Sequence, residues 1–567
     1  MCTWTGLTAR TPTIDGVTAT LAAPADTGGP GAETPVDPPQ PLRPVPAALA
    51  PWHDPHPMIG WLITAVIAIG AGFTRFWALG WPPGRNTIPQ NGMNFDEVYY
   101  ATEAQELLRY GYEDNRGYLF IVHPPLGKWL VAASEFIFDH PHTSQEFLTS
   151  SVGWRVAPAL FGALGVVMLT RIVRRMMRSN LFGGIAGLLL MLDGMSLVLA
   201  RTAILDIFLQ FFVLAGFGAL VIDRDKMRAR LSRLIADGAD LSGGVPTLGP
   251  RPWRLVAGVM FGLACAVKWT GPFFFGLFVL LSLVWDRAAL RSAGVRRPTR
   301  NWARRSLLPG LGSLIVTPVV AYLLTYLGWF TGENAWNRHW ADSHGPSTHL
   351  NLVGLHIPFN WGWVPGPLRS LGSYTLDAYR FHQGLDSGHA YQSNPWSWLV
   401  LGRPVDFYYD GSGTTCGAAS CSREVLLLGT PLLWWAFVPM LLWLAWHWFT
   451  TRDWRAGAVW VAFIAGWVFW FQNLKRTMFL FYMAPLVPFL IIGVTLALGV
   501  MLGPALQRNG DPERARRARR RRAWGIAGIS AYLGLVIVDF AWMWPIFTGG
   551  LLTYNEWHAH MWLPSWV

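Results

Sequence analysis

Eleven apolar stretches of roughly 20 residues constrain the fold of this chain more than any other feature of its sequence, because a helix of that length crosses a bilayer. The chain of 567 residues is 52% hydrophobic and only 14% charged, which argues against a soluble globular protein. Its 33 tryptophans fit aromatic belts at two membrane interfaces; a soluble sugar-binding protein would leave the apolar stretches unexplained. We predict an all-α polytopic membrane protein with spans at 58–80, 154–173, 181–199, 203–222, 255–270, 272–286, 307–329, 425–449, 456–472, 478–503 and 524–547.

The distribution of arginine predicts how these spans are oriented. Dense clusters fill the loops 171–178, 224–233, 287–305 and 508–522. Cytoplasmic loops are rich in Lys and Arg, so these clusters share the inner side if the N-terminus is cytoplasmic and the C-terminus is outside. Segments 81–153 and 330–424 then lie outside. The run 514–522 resembles a nucleic-acid-binding stretch, but between two spans it indicates a topology determinant in contact with anionic lipid, and no nucleic-acid partner is expected.

Four regions follow from this pattern. Residues 1–57 have no hydrophobic run and are rich in Pro, Ala, Thr and Gly, which predicts a disordered cytoplasmic tail. Residues 58–329 form a transmembrane module that includes the outer loop 81–153, and residues 330–424 form a large extracytoplasmic loop. Residues 425–567 form a C-terminal four-span module. Cys416 and Cys421 lie in the outer loop, where an oxidising compartment would permit a disulfide.

An acidic pair, Asp96 and Glu97, follows the first span and is costly beside a bilayer unless it has a function. It opens an amphipathic helix, 96–109, and a second one is predicted at 126–138, both along the membrane surface. Helix capping is the alternative reading of the acidic pair. Because a helix turns by about 100° per residue, neighbouring carboxylates cannot both face one atom. One is therefore expected to act as a base and the other to position a group.

Several cations reach the same predicted outer face, from which the positive-inside rule should deplete them. Each alone could extend to lipid headgroups, but several together would suit the phosphate of a lipid-linked donor. Asp206 is expected to pair with one of them. The candidate binding residues at this face are His123, Lys128, Arg155, Arg201, Asp206, Lys268, Lys475 and Arg476.

Five motifs together resemble the protein O-mannosyltransferase family, the polyprenyl- or dolichyl-phosphate-mannose–protein mannosyltransferases. They are Asn94–Tyr99, Val122–Lys128, Gly153–Arg155, Arg201–Asp206 and Ala266–Gly271. The segment His389–Trp398 is similar to the actinobacterial branch in particular. The resemblance extends from about residue 58 to the C-terminus.

The resemblance implies a GT-C glycosyltransferase fold with about 11 spans, in which 58–329 is the catalytic module. It makes Asp96 and Glu97 the catalytic acidic pair, and it matches Arg75 and Arg155 to essential arginines, which are expected to bind the substrate. Two departures stand out. Residues 330–424 are too short for the soluble sugar-binding domain of the eukaryotic members, and the family's paired histidines near span 10 correspond here to Phe481–Pro485.

The expected reaction is transfer of mannose from a polyprenyl-phosphate-mannose lipid to Ser or Thr hydroxyls of exported proteins, at the outer face and with inversion. Asp96 would be the general base, and Glu97 would hold the acceptor peptide or the sugar. The arrangement would need no metal or cofactor, and the secretion translocon is a candidate partner. The alternatives are a GT-C transferase with a lipid or glycan acceptor, and a transporter, which would place polar residues through the midplane.

Overall fold

The structure is a computed structural model that describes residues 44–52, 54–82, 93–114, 122–138, 150–346, 349–352, 355–358, 360–411, 415–503 and 512–567. In chain order the helices are α1 Pro57–Phe76, α2 Glu97–Tyr110, α3 Leu126–Phe138, α4 Ser151–Met177, α5 Asn180–Met191, α6 Gly194–Leu199, α7 Asp206–Ala236, α8 Pro252–Cys265, α9 Gly271–Ser292, α10 Pro298–Thr325, α11 Leu327–Thr331, α12 Trp340–Ser343, α13 Gly366–Gly384, α14 Pro395–Trp398, α15 Pro431–Thr451, α16 Trp454–Gln472, α17 Leu480–Leu502, α18 Pro512–Thr548 and α19 Tyr554–Ala559.

Within these described ranges, nine helices are long and apolar enough to cross a membrane: α1, α4, α7, α9, α10, α15, α16, α17 and α18. The shorter apolar helices α5 and α8 occupy two more of the predicted span positions. The span predicted at 181–199 is interrupted, because Asp193 accepts a hydrogen bond from the Ser196 amide at 2.8 Å and so begins α6. The multi-pass architecture is confirmed, whereas the number of crossings stays a prediction.

Two small sheets lie between the helices. Strands β1 His349–Leu352 and β2 Leu355–Pro358 form an antiparallel pair. Strands β3 Val405–Asp410, β4 Cys421–Leu427 and β5 Leu552–Thr553 form an antiparallel sheet in the order β3-β4-β5. Cys416 and Cys421 form a disulfide beside β4.

The long central helix α7 packs against α4, α8 and α9. It is apolar on all sides over its first five turns, which is the pattern of a buried helix. A single large core continues from α4 and α5 through α7 to α16 and α17.

The dense arginine clusters gather at one end of the helix bundle. A side chain at Gly499 of α17 would lie 2.9 Å from Met177, at the end of α4. Arg224 of α7 lies 3.7 Å from the centre of the Trp454 ring, at the start of α16. The acidic pair lies at the opposite end, so arginine-rich loops and candidate site are separated by the length of the bundle.

Part of the predicted disordered tail is ordered. Residues 1–43 lie outside the described residues, but Leu49 is fully buried against Met227, Leu231 and Leu290 of α7 and α9. The turn Ala47–Leu49 is therefore ordered against the bundle, and the sequence did not reveal it because one buried leucine beside the partly buried Val45 forms no recognisable apolar run. The wider disordered tail stays a prediction.

Candidate active site

The acidic pair lies on a strained loop held by aromatic rings. Phe95 has φ of 50°, a left-handed conformation that is unfavourable for an aromatic residue. Its ring stacks on Phe407 with a centroid distance of 4.7 Å and meets Phe479 and Phe481 edge-on at 5.9 Å. His389 contacts the same ring at 6.0 Å. The packing of these rings offsets the strain and fixes the position of the next residue, Asp96.

Asp96 is at the N-cap position of α2, but its side chain makes no capping hydrogen bond. The carboxyl group is half-buried, and burial raises its pKa to about 6. The positive charge of Lys268 opposes that rise, and the negative charge of Asp206 adds to it. Helix capping therefore does not explain Asp96, and its carboxylate is available to a ligand.

Glu97 is fully buried and already bound by protein donors. Arg155 of α4 forms a two-pronged ion pair with it, with distances of 2.7 Å from Nε to Oε1 and 2.8 Å from Nη2 to Oε2. The amides of Asn94 and Ala203 donate to the same carboxylate at 2.8 and 3.0 Å. Glu97 thus ties the loop before α2 to α4 and to the turn before α7.

Two further arginines that the sequence assigned to donor binding cap helix ends in the structure. Arg75 is fully buried and donates to the carbonyls of Leu190 and Met191 at 3.1 Å, at the end of α5. Arg201 donates to the Trp77 carbonyl at 2.6 Å and to that of Ala78 at 3.2 Å, just beyond α1. Both guanidinium groups satisfy carbonyls that a helix end leaves without partners. Their contact with the donor stays a prediction.

The segment Val122–Lys128 anchors the second surface helix. Lys128 is fully buried and pairs with Glu103 at 3.0 Å and with Glu113. Burial raises the pKa of Glu113 to about 7, although Lys128 opposes that rise. Gly127 faces Leu205, which a side chain at this position would meet at 2.7 Å. Lys128 is therefore part of a buried cluster and does not contact the cavity described below.

His123 differs from Lys128 because one of its ring nitrogens is free. Its Nδ1 atom is buried and has no hydrogen-bond partner among the described residues. The ring stacks on His382 with a centroid distance of 5.0 Å. Burial, followed by the nearby charges of His382 and Lys268, lowers the pKa of His123 well below its ordinary value. The imidazole is therefore neutral at physiological pH.

Lys268 lies between the start of α7 and the start of α17, and it contacts residues of both. Its Nζ is 2.7 Å from Asp206 Oδ2, which confirms that Asp206 pairs with one of the predicted cations. The ammonium group also lies 4.9 Å from the centre of the Tyr482 ring and 5.4 Å from that of Phe481. These rings stand where the sequence comparison had placed the family's paired histidines, and they supply cation–π contacts instead.

Arg476 is held by residues of the large outer loop. Its Nε donates to the His382 carbonyl at 2.8 Å, and its Nη2 lies 3.2 Å from His382 Nδ1. The Tyr482 hydroxyl accepts from Nη1 at 3.2 Å. His382 Nε2 donates to the Val122 carbonyl at 3.0 Å, so Nδ1 is the acceptor for Arg476. Burial and the charge of Arg476 lower the pKa of His382 to about 4, which keeps this acceptor unprotonated.

A small cavity of about 100 Å³ brings some of the predicted residues together. His123, Lys268 and Arg476 line it, along with His382 and Tyr482. Lys475 is exposed on the surface beside it and is not among the lining residues. Arg75, Arg155, Arg201 and Lys128 are buried and do not line it. The cavity is thus positively charged and aromatic, and it shares Lys268 with the surroundings of Asp96.

Sequence analysis missed His382, Tyr482 and the aromatic rings around Phe95. The segment His389–Trp398 was singled out as a motif, and its first residue does contact Phe95. Nothing in the sequence marks Phe407, Phe479 or His382, because their partners are more than 250 residues distant or belong to another helix.

Comparison with known proteins identifies the family of the chain. A family model described as dolichyl-phosphate-mannose-protein mannosyltransferase matches residues 65–331. A second model, the C-terminal four TMM region of protein-O-mannosyltransferase, matches residues 369–566. A curated polyprenol-phosphate-mannose–protein mannosyltransferase of Mycobacterium tuberculosis is 40% identical over 542 residues, covering 93% of this chain and 97% of the relative. The Corynebacterium glutamicum relative of the same description is 33% identical, covering 88% and 92%.

A solved structure shows the same fold. The protein O-mannosyltransferase complex of S. cerevisiae bound to its sugar donor matches with a TM-score of 0.65 at 16% identity, covering 90% of this chain and 92% of that chain. The expected GT-C architecture is confirmed by this match. The chain is a membrane glycosyltransferase, and it belongs to the dolichyl-phosphate-mannose–protein mannosyltransferase family.

Proposed function

We propose that the chain transfers mannose from a polyprenyl-phosphate-mannose lipid to Ser or Thr hydroxyls of exported proteins, at the outer face of the membrane. The donor and the protein acceptor are those in the descriptions of its mycobacterial relatives. The observation that carries the proposal is the contrast within the acidic pair. The Glu97 carboxylate accepts hydrogen bonds from Arg155 and from two backbone amides, whereas the Asp96 carboxylate has no hydrogen-bond partner among the described residues.

In this proposal Asp96 is the general base. The acceptor hydroxyl oxygen attacks the anomeric carbon of mannose, the bond from that carbon to the phosphate oxygen breaks, and the hydroxyl proton passes to Asp96. The polyprenyl phosphate leaves with the bonding electrons. A single displacement from the face opposite the phosphate inverts the anomeric carbon.

Lys268 and Arg476 are the cations that we propose to contact the donor phosphate. Both line the cavity, and both are held in place: Lys268 by Asp206, and Arg476 by His382 and Tyr482. Preorganised cations of this kind stabilise the charge that develops on a leaving phosphate. Arg75, Arg155 and Arg201 also support the site from within the protein, because they fix helix ends and Glu97, and their direct contact with the donor stays a prediction. Lys128 likewise holds the second surface helix, and the exposed Lys475 guides the anionic headgroup towards the cavity.

The test is the near-isosteric variant Asp96→Asn in purified membranes, with radiolabelled mannosyl lipid and a Thr-rich peptide. We expect transfer to fall on the order of 100- to 10,000-fold, because the base is lost, while donor binding is kept. Asp377→Asn is the matched control, since this carboxylate is partly exposed on α13 and pairs with Arg380 of the same helix at 3.3 Å. Near-normal transfer by Asp96→Asn would refute the assignment.

The acceptor class is tested with the same membranes. A peptide in which every Ser and Thr is replaced by Ala should receive no label, and the product should carry the opposite anomeric configuration to the donor. If label instead enters only lipid or glycan fractions, the alternative acceptor is correct, although Asp96 would still be required.

A further inference from the structure

A second cavity, of about 390 Å³, lies at the arginine-rich end of the bundle, far from Asp96. Helix α7 forms its floor and helices α4 and α8 form its walls. Small side chains on α7 create the space, since they follow each other at helical spacing and leave a groove. Its apolar lining includes Ala215, Gly218 and Ala219 of α7, Ile172 of α4 and Met260 of α8.

Three arginines of α4 line the same cavity: Arg171, Arg174 and Arg175. They are three and four residues apart on one helix face, where like charges repel and destabilise a helix by a few tenths of a kcal/mol. An anion shared between them would relieve this repulsion. Lys226 of α7 adds a fourth positive charge at the mouth, 5.4 Å from the centre of the Trp253 ring.

The carboxylates nearby only partly balance these charges. Arg174 pairs with Asp54, and Arg175 pairs with Asp225 at 3.0 Å. Arg171 has no carboxylate within ion-pair distance among the described residues. Its guanidinium lies 3.8 Å from the centre of the Trp61 ring, and its contacts with the Gly60 carbonyl and the Thr64 hydroxyl are long, at 3.4 Å each. The head of the groove therefore has a net positive charge.

Two tryptophans frame the polar end of the groove. Trp52 lies 5.2 Å from the Arg174 guanidinium, measured to the ring centre, and Trp253 begins the α8 wall. Tryptophan is typical of the level at which headgroups meet the hydrocarbon. The cavity thus has an aromatic and cationic head and an apolar body, in the order that a phospholipid presents phosphate and acyl chain.

We propose that this groove is a binding site for an anionic glycerophospholipid, with its phosphate on Arg171 and Arg175 and one acyl chain along α7. Charge complementarity selects the anionic headgroup, because a zwitterionic lipid would bring its own cation to a site that already has an excess of positive charge. The site is separate from the mannosyl donor site, which lies at the opposite end of the bundle. The lipid would join α4, α7 and α8 at the end of the molecule that lacks the catalytic contacts.

The experiment uses the full chain, purified in a neutral detergent, with lipid binding followed by native mass spectrometry. Dioleoylphosphatidylglycerol is titrated against dioleoylphosphatidylcholine, polyprenyl phosphate and inorganic phosphate. We expect phosphatidylglycerol to bind tightest. The double variant Arg171→Gln, Arg175→Gln should bind it roughly 10- to 30-fold more weakly, since each basic residue contributes about tenfold or less near a lipid surface.

The matched control is Arg516→Gln, Arg520→Gln, which removes two charges from the exposed start of α18 at the same end of the bundle. It should leave phosphatidylglycerol binding unchanged. Equal weakening in both double variants would overturn the proposal in favour of a general basic surface. Tighter binding of polyprenyl phosphate or of inorganic phosphate would also overturn it.

A second variant tests the groove without touching the charges. Ala215→Phe places a ring on the α7 floor, and we expect it to reduce phosphatidylglycerol binding by a similar factor. Mannosyl transfer in detergent with added donor, which depends on the other end of the bundle, reports whether each variant is folded. Full lipid binding by a folded Ala215→Phe variant would contradict the proposed acyl-chain path.

Discussion

Asp96 and Glu97 are neighbours in sequence, but Glu97 is paired with Arg155 whereas the Asp96 carboxylate has no hydrogen-bond partner among the described residues. The rate of transfer should therefore depend on pH through Asp96. Burial raises the pKa of Asp96 to about 6, so its carboxyl group is protonated and unable to accept a proton below that pH. We expect kcat/KM for the acceptor peptide to rise about tenfold per pH unit below pH 6 and to level off above it. A profile of initial rates from pH 4.5 to 8 checks this. A flat profile across pH 6 would exclude Asp96 as the titrating base.

His382 should control donor affinity through Arg476. Its Nδ1 accepts from the guanidinium and its Nε2 donates to Val122, so two substitutions separate the contacts. His382→Asn keeps an acceptor near Nδ1, whereas His382→Gln places its amide near Nε2. We expect the KM for the donor lipid to rise about tenfold in His382→Gln, with kcat changed less, and to stay near wild type in His382→Asn. Equal effects of both variants would mean that His382 only supports the fold.

The sequence could not predict which of the candidate cations contact substrate and which contact other parts of the protein. The acidic pair, the cations and the second surface helix were all predictable, and α3 runs from Leu126 to Phe138 as expected. Whether a given cation meets substrate or protein depends on which carbonyls and carboxylates the fold brings to it. Arg201, for example, finds its partners more than 120 residues away, at Trp77 and Ala78.

At the scale of elements, α8 and α10 approach each other too closely for side chains. A Cβ atom at Gly258 would lie 2.0 Å from the Ser313 carbonyl oxygen, and one at Gly262 would lie 2.4 Å from that of Pro318. These glycines are four residues apart, the spacing of close helix pairs in membranes. Helix α10 contains two π-helical turns, Ala303–Leu307 and Gly312–Val316. They change the hydrogen-bond partners of backbone carbonyls near the prolines of this helix, which have no N–H to donate.

Gly258→Ala should therefore destabilise the protein although alanine favours helices. Overpacking against a backbone oxygen costs about 1–3 kcal/mol, which lowers the midpoint of thermal unfolding in detergent by several degrees. Gly276→Ala on α9 is the matched control, because nothing lies within 4 Å of its Cβ position. The same midpoint for both variants would show that α10 moves away freely.

The whole molecule has two chemically distinct ends, and the topology prediction depends on which end faces outward. We expect the arginine-rich end to be cytoplasmic and Asp96 to be outside. In a background with Cys2 and Cys265 replaced, Asn555→Cys in α19 should react with a membrane-impermeant thiol reagent in intact cells. Ala515→Cys in the arginine run should react only after lysis. The reverse pattern would place Asp96 in the cytoplasm and remove the case for modifying exported proteins.

The rings around Phe95 bear on how this enzyme can change over evolutionary time. Phe95 lies in the part matched by the first family model, while Phe407, Phe479 and Phe481 lie in the part matched by the second. A substitution of one of these rings in the second part therefore alters the setting of Asp96 in the first, and we expect the two parts to vary together. None of these rings comes from the segment between residues 331 and 369, so a change of length in that segment need not touch the aromatic packing that holds Asp96.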